Sequence, residues 1–221
     1  MTQQDKKTFL FDFDGTLVDS MPTFAKVMLR ILDENGVKYG SDIIKIITPL
    51  GYKGAAEYFI KIGVDMGVDA LVKKMISYVV YEYENNIQAK DTVTETLHQM
   101  KARGDSLNVL TASPHDALDP CLKRLGIWEL FDNVWSCDDF NTTKANPQIY
   151  AMAADRLGKS VSEIIFVDDN VNAVKTAKTA GMMAYGIFDK SSEDYIEEFK
   201  SVADRYVMDF CELYDAYTEK K

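Results

Sequence analysis

The sequence predicts an α/β fold, in which a parallel sheet has helices on both faces and is interrupted by an inserted block of helices. An apolar strand opens the chain, and a helical pattern then runs to about residue 89 without a convincing strand. Beyond that point, helical stretches alternate with short apolar strands. Because such alternation with short connections builds parallel sheets, we expect a sheet domain from residues 1–15 and 90–221 and a helical domain from residues 16–89.

The first helix is predicted by its boundary residues and by its apolar spacing. Asp19 or Ser20 is placed to cap it, Pro22 suits its first turn, and Gly36 is a typical stop. The rest of the insertion keeps the helical pattern, in the stretches "SDIIKIITPLG", "YKGAAEYFIKIG" and "VDALVKKMISYVVYEYENN".

Past residue 90, helix and strand segments come in pairs. Each helical stretch has an apolar face, and each strand is a short apolar run. The pairs are "TVTETLHQMKARG" with "SLNVLTAS", "DALDPCLKRLG" with "NVWSC", "PQIYAMAADRLG" with "EIIFVDD", and "NAVKTAKTAG" with "MMAYGIF". The tail repeats the pattern with "EDYIEEFKSVA", "RYVMDF" and "CELYDAYT".

The composition is that of an ordinary soluble protein and argues against nucleic acid as the main partner. Of 221 residues, 35 are acidic and 25 basic, which gives a net charge of −10 and disfavours a phosphate-backbone footprint. Cys121, Cys137 and Cys211 lack the spacing of a zinc site or a disulfide framework, so we expect buried thiols in a reducing compartment. The N-terminal apolar stretch is too short for a signal peptide, and no run is long enough to span a membrane. We therefore expect a cytoplasmic protein.

Acidic side chains follow two of the predicted strands, at the edge where parallel sheets bind ligands. Asp12 and Asp14 follow the first strand, and Asp168 and Asp169 end the strand "EIIFVDD". If these strands are neighbours, so many carboxylates stay ionised together only with a cation among them. Oxygen-only ligands favour Mg²⁺.

Groups that bind an anion lie on other loops of the same edge. Lys144 supplies a fixed positive charge, and Thr111 and the backbone around Gly15 supply donors. Together with Mg²⁺ they form a cradle for a transferring phosphoryl group. An Asp nucleophile with a second acid as proton donor suits this chemistry.

Four ordered motifs resemble those of the haloacid dehalogenase-like hydrolase superfamily, in its phosphatase branch. They are "DFDGT" beginning at Asp12, the strand ending in Thr111, Lys144 in "KANPQIY", and "VDDN" ahead of "AVKTAKTAGM". The resemblance implies a Rossmann-like catalytic core and a small α-helical cap domain inserted after the first motif. It extends over the whole chain, strongly for the core and by position and helicity for the cap.

The resemblance also assigns roles to individual residues. It implies Asp12 as nucleophile and Asp14 as acid and base. Phosphate binding falls to Thr111 and Lys144, with Ala112 and Gly15 beside them. It further implies a Mg²⁺ cofactor held by Asp12, the Asp14 carbonyl and the pair Asp168 and Asp169. Asp169 is favoured as the direct ligand, and direct or water-mediated binding both stay open for Asp168.

The sequence departs from the family pattern in two places. Ala145 and Asn146 stand between Lys144 and Pro147, where many members have proline directly after the lysine. Ala173 occupies a position that is often a further aspartate. Asp14, which the true dehalogenases lack, favours phosphate over halide substrates.

Three functions remain open at this point. The first is a Mg²⁺-dependent phosphomonoester hydrolase, the second a sugar phosphomutase similar to β-phosphoglucomutase, and the third a non-catalytic phosphate-binding module. Selection of the substrate belongs to the cap, where Lys53 between Gly51 and Gly54 is the candidate residue. Phosphoglycolate, sugar phosphates and nucleotide monophosphates all fit the core. We expect a small phosphorylated metabolite as partner, no nucleic acid or membrane, and a monomer or weak homodimer.

Overall fold

A computed structural model of the protein describes residues 6–47 and 50–218. The chain divides into two compact units: the residues up to Asp19 together with those from Gln88 onward, and the segment Ser20–Ile87. The boundaries predicted at residues 15 and 90 lie a few residues from these limits. Residues 48–49, within the helical stretch "SDIIKIITPLG", lie outside the described residues, as do residues 1–5, on which the signal-peptide argument partly depends.

The segment Ser20–Ile87 is helical, as its periodicity predicts. Its helices pack their apolar sides into one buried cluster that includes Ile31, Phe59 and Met75. Ser20 precedes the first helix as predicted, but its side chain makes no capping hydrogen bond. The helices are α1 (Met21–Glu34), α2 (Ile43–Ile47), α3 (Gly51–Lys61) and α4 (Val68–Asn85).

The other unit contains a parallel sheet of six strands, which confirms the predicted fold class. Parallel strands buried on both faces are continuous apolar runs, and β1 has four buried residues in succession. The spatial order is β3-β2-β1-β4-β5-β6, so β1 lies between β2 and β4. The strands are β1 (Thr8–Phe11), β2 (Ser106–Thr111), β3 (Asn133–Ser136), β4 (Ile164–Asp168), β5 (Met183–Ile187) and β6 (Arg205–Val207).

Helices cover both faces of this sheet. Successive side chains of β1 point to opposite faces, and the side chains on each face contact a different group of helices. The ring of Phe9 contacts Tyr217 and that of Phe11 contacts Phe210, on one face. Leu10 belongs to the apolar cluster of the other face, with Tyr150 among its members. The helices of this unit are α5 (Val93–Arg103), α6 (His115–Arg124), α7 (Gln148–Leu157), α8 (Val171–Ala180), α9 (Ile196–Val202) and α10 (Phe210–Thr218).

The ends of the predicted helical stretch 16–89 are not helical. The N–H of Asp19 donates to the carbonyl of Gln88 at 3.0 Å, and Val18 and Ala89 form an antiparallel bridge. The segment that leaves the sheet unit, at residues 18–19, and the segment that returns to it, at residues 88–89, run side by side. Their backbone groups therefore form hydrogen bonds with each other. Within the described part of the chain, none of the helices combines the length and the apolar character needed to cross a membrane.

Candidate active site

The loop after β1 places Asp12 at the carboxyl edge of the sheet, between the ends of β2 and β4. The Asp12 N–H continues the ladder and donates to the carbonyl of Val167 at 2.9 Å. The loop then turns at Gly15, whose φ of +75° lies in the left-handed region. A Cβ at Gly15 would lie 2.4 Å from Oδ2 of Asp169, so only glycine allows the loop to approach that carboxylate.

Lys144 joins the loop after β1 to the end of β4. Its Nζ donates to Oδ1 of Asp12 at 2.5 Å and to Oδ2 of Asp168 at 2.8 Å. The lysine side chain is 14% exposed, and both carboxylates are buried. Burial lowers the pKa of Lys144, but the two carboxylates outweigh it and hold the pKa well above its ordinary value. Lys144 is therefore a permanent cation within the site.

The carboxylates that end β4 have different partners. Asp168 accepts from Lys144 through Oδ2 and from the N–H of Asn170 through Oδ1, at 2.7 Å. Asp169 Oδ1 accepts from the hydroxyl of Thr16 at 3.1 Å, and the same hydroxyl oxygen accepts from the N–H of Asp169. Both oxygens of Asp168 are engaged, whereas Oδ2 of Asp169 faces Gly15.

The carboxylates of Asp12, Asp168 and Asp169 form a cluster suited to a cation. Each offers an oxygen, and these oxygens lie within 4.8 Å of one another. Burial raises the pKa of Asp12 well above its ordinary value, with further rises from Asp168 and Asp169 that Lys144 opposes. Burial and then Asp168 raise the pKa of Asp169 to about 7. Three carboxylates face one ammonium, and their oxygen donors fit Mg²⁺.

The end of β2 holds the carboxylate of Asp14. Ser113 Oγ donates to Oδ2 of Asp14 at 2.5 Å, and its N–H donates to Oγ1 of Thr111 at 3.0 Å. Thr111 is buried, while Ala112 beside it is exposed. Sequence reasoning did not assign a role to Ser113. Its place in "TAS", directly after a strand that ends at the site, is the signal that would have found it.

A family model described as haloacid dehalogenase-like hydrolase matches residues 6–181. The chain belongs to this family. The predicted membership is thereby confirmed, and the match contains the whole of the acidic cluster and Lys144.

Relatives of this hydrolase include proteins named as phosphatases. It is 31% identical over 189 residues to pyrophosphatase PpaX of Bacillus velezensis, with 85% of each chain covered. It is 27% identical over 210 residues to a phosphoglycolate phosphatase of Vibrio parahaemolyticus, with 85% of this chain and 86% of that one covered. These names support a phosphatase, as the sequence predicts.

A solved structure shares the fold of this hydrolase over nearly its full length. A candidate β-phosphoglucomutase of Thermotoga maritima superposes with a TM-score of 0.82 at 20% identity, over 95% of this chain and 97% of that one. At this identity the similarity concerns the fold, and it supports the Rossmann-like architecture that the sequence predicts.

Two residues near the site of the hydrolase have partners that sequence reasoning missed. Asp139 is an exposed residue. Its Oδ2 accepts from the N–H of Ser136 at 2.9 Å and lies 2.9 Å from Nε2 of His115. His115 Nδ1 lies 2.7 Å from Asp119, and the hydrogen bonds to Asp119 and Asp139 raise the pKa of His115 above its ordinary value.

The remaining candidates are Lys53 and the three cysteines. Lys53 is an exposed residue of the first turn of α3, in the helical unit. Cys121 and Cys137 are buried as predicted, and burial raises the pKa of Cys121 to about 11, so it remains a thiol at neutral pH. The prediction was wrong for Cys211, which is exposed on α10.

Proposed function

We propose that this hydrolase cleaves phosphomonoesters of small organic molecules through an aspartyl-phosphate on Asp12, with Mg²⁺ as cofactor. One observation carries the proposal. The Asp12 carboxylate lies in a buried cluster with Asp168 and Asp169, and the partly buried Lys144 bonds both to it and to Asp168. Such a concentration of fixed charge at the end of a strand suits transfer of a phosphoryl group better than a structural role.

In the first step, a carboxylate oxygen of Asp12 attacks phosphorus in line with the ester oxygen. A bond from Asp12 to phosphorus forms, and the bond from phosphorus to the ester oxygen breaks. The departing alkoxide takes the proton of the Asp14 carboxyl group and leaves as an alcohol. The Ser113 hydroxyl, 2.5 Å from Oδ2 of Asp14, holds that carboxyl group in orientation.

In the second step, water attacks the same phosphorus atom. Asp14, now a carboxylate, takes a proton from the water as its oxygen bonds to phosphorus. The bond to Asp12 breaks, so that inorganic phosphate leaves and the Asp12 carboxylate is restored. The acid of the first step is therefore the base of the second.

Two positive charges would stabilise the phosphoryl oxygens during both steps. Lys144, already bonded to Asp12, places its ammonium beside the nucleophile, and Thr111 ends the neighbouring strand. Mg²⁺ held by Asp12, Asp169 and the Asp14 carbonyl, with Asp168 acting through water, would neutralise charge on the phosphoryl group. Asp169 is favoured as the direct ligand because both oxygens of Asp168 already accept hydrogen bonds.

The substrate we propose is a small phosphorylated metabolite. The relatives named as pyrophosphatase and phosphoglycolate phosphatase act on compact phosphate compounds by their names, which supports a small substrate. Selection among such compounds is assigned to the helical segment of residues 16–89, acting as a cap, with Lys53 as its candidate residue.

The experiment compares Asp12→Asn with Asp138→Asn. Both lose one carboxylate, but Asp138 is exposed and lies outside the acidic cluster. Release of inorganic phosphate is measured over a panel of phosphate esters, with Mg²⁺ and with chelator. We expect turnover that requires Mg²⁺, is unchanged in Asp138→Asn and falls by roughly 10⁴-fold or more in Asp12→Asn.

Retention of Mg²⁺-dependent turnover by Asp12→Asn would overturn the proposal. Product analysis with glucose 1-phosphate separates hydrolysis from mutase chemistry: free glucose and phosphate support the hydrolase, and glucose 6-phosphate supports the mutase. An absence of turnover on every ester of the panel would favour the non-catalytic phosphate-binding module.

A further inference from the structure

We propose that Lys90 is a positioning residue that holds the loop after β1 in the shape the reaction requires. This inference rests on the proposed function, because it concerns the loop that carries Asp12 and Asp14. Lys90 belongs to neither the acidic cluster nor any motif of the sequence. It lies where the chain re-enters the sheet unit, two residues after Gln88.

The ammonium of Lys90 bonds to two loops at once. Its Nζ donates to the carbonyl of Gly15 at 2.7 Å, to the carbonyl of Phe188 at 2.6 Å, and to Oδ2 of Asp189 at 3.1 Å. These acceptors account for all the N–H groups of an ammonium. The lysine side chain is 21% exposed and that of Asp189 is 6% exposed, so the contacts are shielded from water and are stronger than surface pairs.

The backbone of Lys90 bonds to the same loop. Its N–H donates to the carbonyl of Leu17 at 3.0 Å. Lys90 therefore contacts the loop on both sides of Thr16, through its side chain at Gly15 and through its backbone at Leu17. A surface ion pair would not produce this double attachment.

The held segment is directly connected to the acidic cluster. Gly15 lies against Asp169, with space for no Cβ, and the hydroxyl of Thr16 exchanges hydrogen bonds with Asp169. Because the peptide bond between Gly15 and Thr16 is planar, fixing the Gly15 carbonyl also fixes the start of Thr16. Lys90 thus fixes the position of the Thr16 hydroxyl that bonds to Asp169.

Asp189 anchors the other end of this arrangement. Its Oδ1 accepts from the N–H and the hydroxyl of Ser191, at 2.8 and 2.7 Å. Since Asp189 follows β5, the lysine joins the loop after β1 to the loop after β5. An apolar side chain of similar length would fill the space but would leave the Gly15 carbonyl and the Asp189 carboxylate without this donor.

The test compares Lys90→Met with Lys101→Met. Lys101 also pairs with an aspartate, Asp132, and its side chain is 31% exposed, but it lies on α5 away from the acidic cluster. In Lys90→Met we expect kcat to fall roughly 10- to 100-fold, with KM within about twofold, because a small displacement of reacting groups is costly. Lys101→Met should keep both values.

Amide hydrogen exchange in the metal-free protein supplies a readout that does not depend on activity. The N–H groups of Gly15, Leu17 and Val18 are bonded within the loop. They should exchange at least about tenfold faster in Lys90→Met, from local opening of the loop, and at the wild-type rate in Lys101→Met.

Unchanged exchange at these amides, or a loss of kcat no larger than that of Lys101→Met, would overturn the role of Lys90. If Lys90→Met does not fold, Lys90→Gln is judged by the same two readouts. A failure here is distinct from a failure of the proposed function, which Asp12→Asn tests in the wild-type background.

Discussion

Asp105 at the amino edge of the sheet and the acidic cluster at its carboxyl edge are both buried, but they are balanced differently. Asp105 is a single carboxylate with several donors around it. It accepts from the N–H of Lys7 at 2.8 Å and from the hydroxyl of Tyr217 at 2.7 Å, and it lies 3.3 Å from the guanidinium of Arg103. At the other edge, among the residues that the structure describes, three carboxylates lie around the ammonium of Lys144.

This difference in charge balance distinguishes a carboxylate with a structural role from carboxylates suited to binding or catalysis. A buried carboxylate that has its full set of donors contributes to stability and has no need of a further ligand. A cluster with more negative than positive charge is destabilised by itself and is stabilised by a cation or by a protonated group. The excess negative charge at the carboxyl edge is the charge that the proposed Mg²⁺ would balance.

The largest expected effect on stability comes from the amino edge. Asp105→Asn leaves Arg103 near a neutral amide and should lower the free energy of unfolding by about 3 kcal/mol, with kcat unchanged. Asp12→Asn should do the reverse: it removes one of three clustered carboxylates while Lys144 keeps Asp168 as its partner, so the free energy of unfolding should change by less than about 1 kcal/mol. Turnover should fall by roughly 10⁴-fold or more. Chemical denaturation of both variants measures this.

Equal destabilisation by the two substitutions would remove the contrast between the edges. Asp138→Asn is the control for the substitution itself, because that side chain is exposed.

The next effect concerns the cation. Mg²⁺ at about 100 times its dissociation constant should raise the free energy of unfolding by about 2.7 kcal/mol, and the melting temperature by about 5 °C or more for a chain of this size. Chelator should reverse the rise. Thermal melting of wild type, Asp169→Asn and Asp105→Asn measures it.

The rise should disappear in Asp169→Asn and persist in Asp105→Asn, because only Asp169 belongs to the acidic cluster. A rise of the same size in Asp169→Asn would place the cation elsewhere.

The smallest expected effect on stability comes from His115, an imidazole that has carboxylate partners close by. Asp119 of its own helix and Asp139 of the next loop face it, and Arg156 donates to the carbonyl of Asp139. Since the folded pKa of His115 is raised, its contribution to stability is complete below the ordinary pKa of about 6.5 and is lost as pH rises through the folded value. With the ring 39% exposed, the contribution is less than about 1 kcal/mol.

The measurement is the difference in free energy of unfolding between wild type and His115→Gln. It should be larger at about pH 6 than at about pH 9, and His98→Gln on α5 gives the effect of the substitution alone. A difference that grows with pH would contradict the sign.

Much of the fold and of the site can be predicted from the sequence because both depend on local patterns. The apolar run before Asp12 predicts a buried strand, and the position of Asp168 at the end of another predicts that the two acids meet once β1 and β4 are neighbours. Lys90 could not be assigned in this way. Its partner Gly15 lies many residues away, and no periodicity links a lysine to a distant carbonyl.

Residue order alone predicts the alternation of helix and strand, the helical insertion, the family and the acids and lysine at the strand ends. These follow from spacing, from residue type and from the order of motifs. The packed fold was needed to show that β1 lies between β2 and β4, that Lys144 joins Asp12 to Asp168, and that Gly15 must lack a side chain beside Asp169. The reason is physical: strand order and charge balance depend on which distant groups become neighbours, and that is settled when the sheet packs.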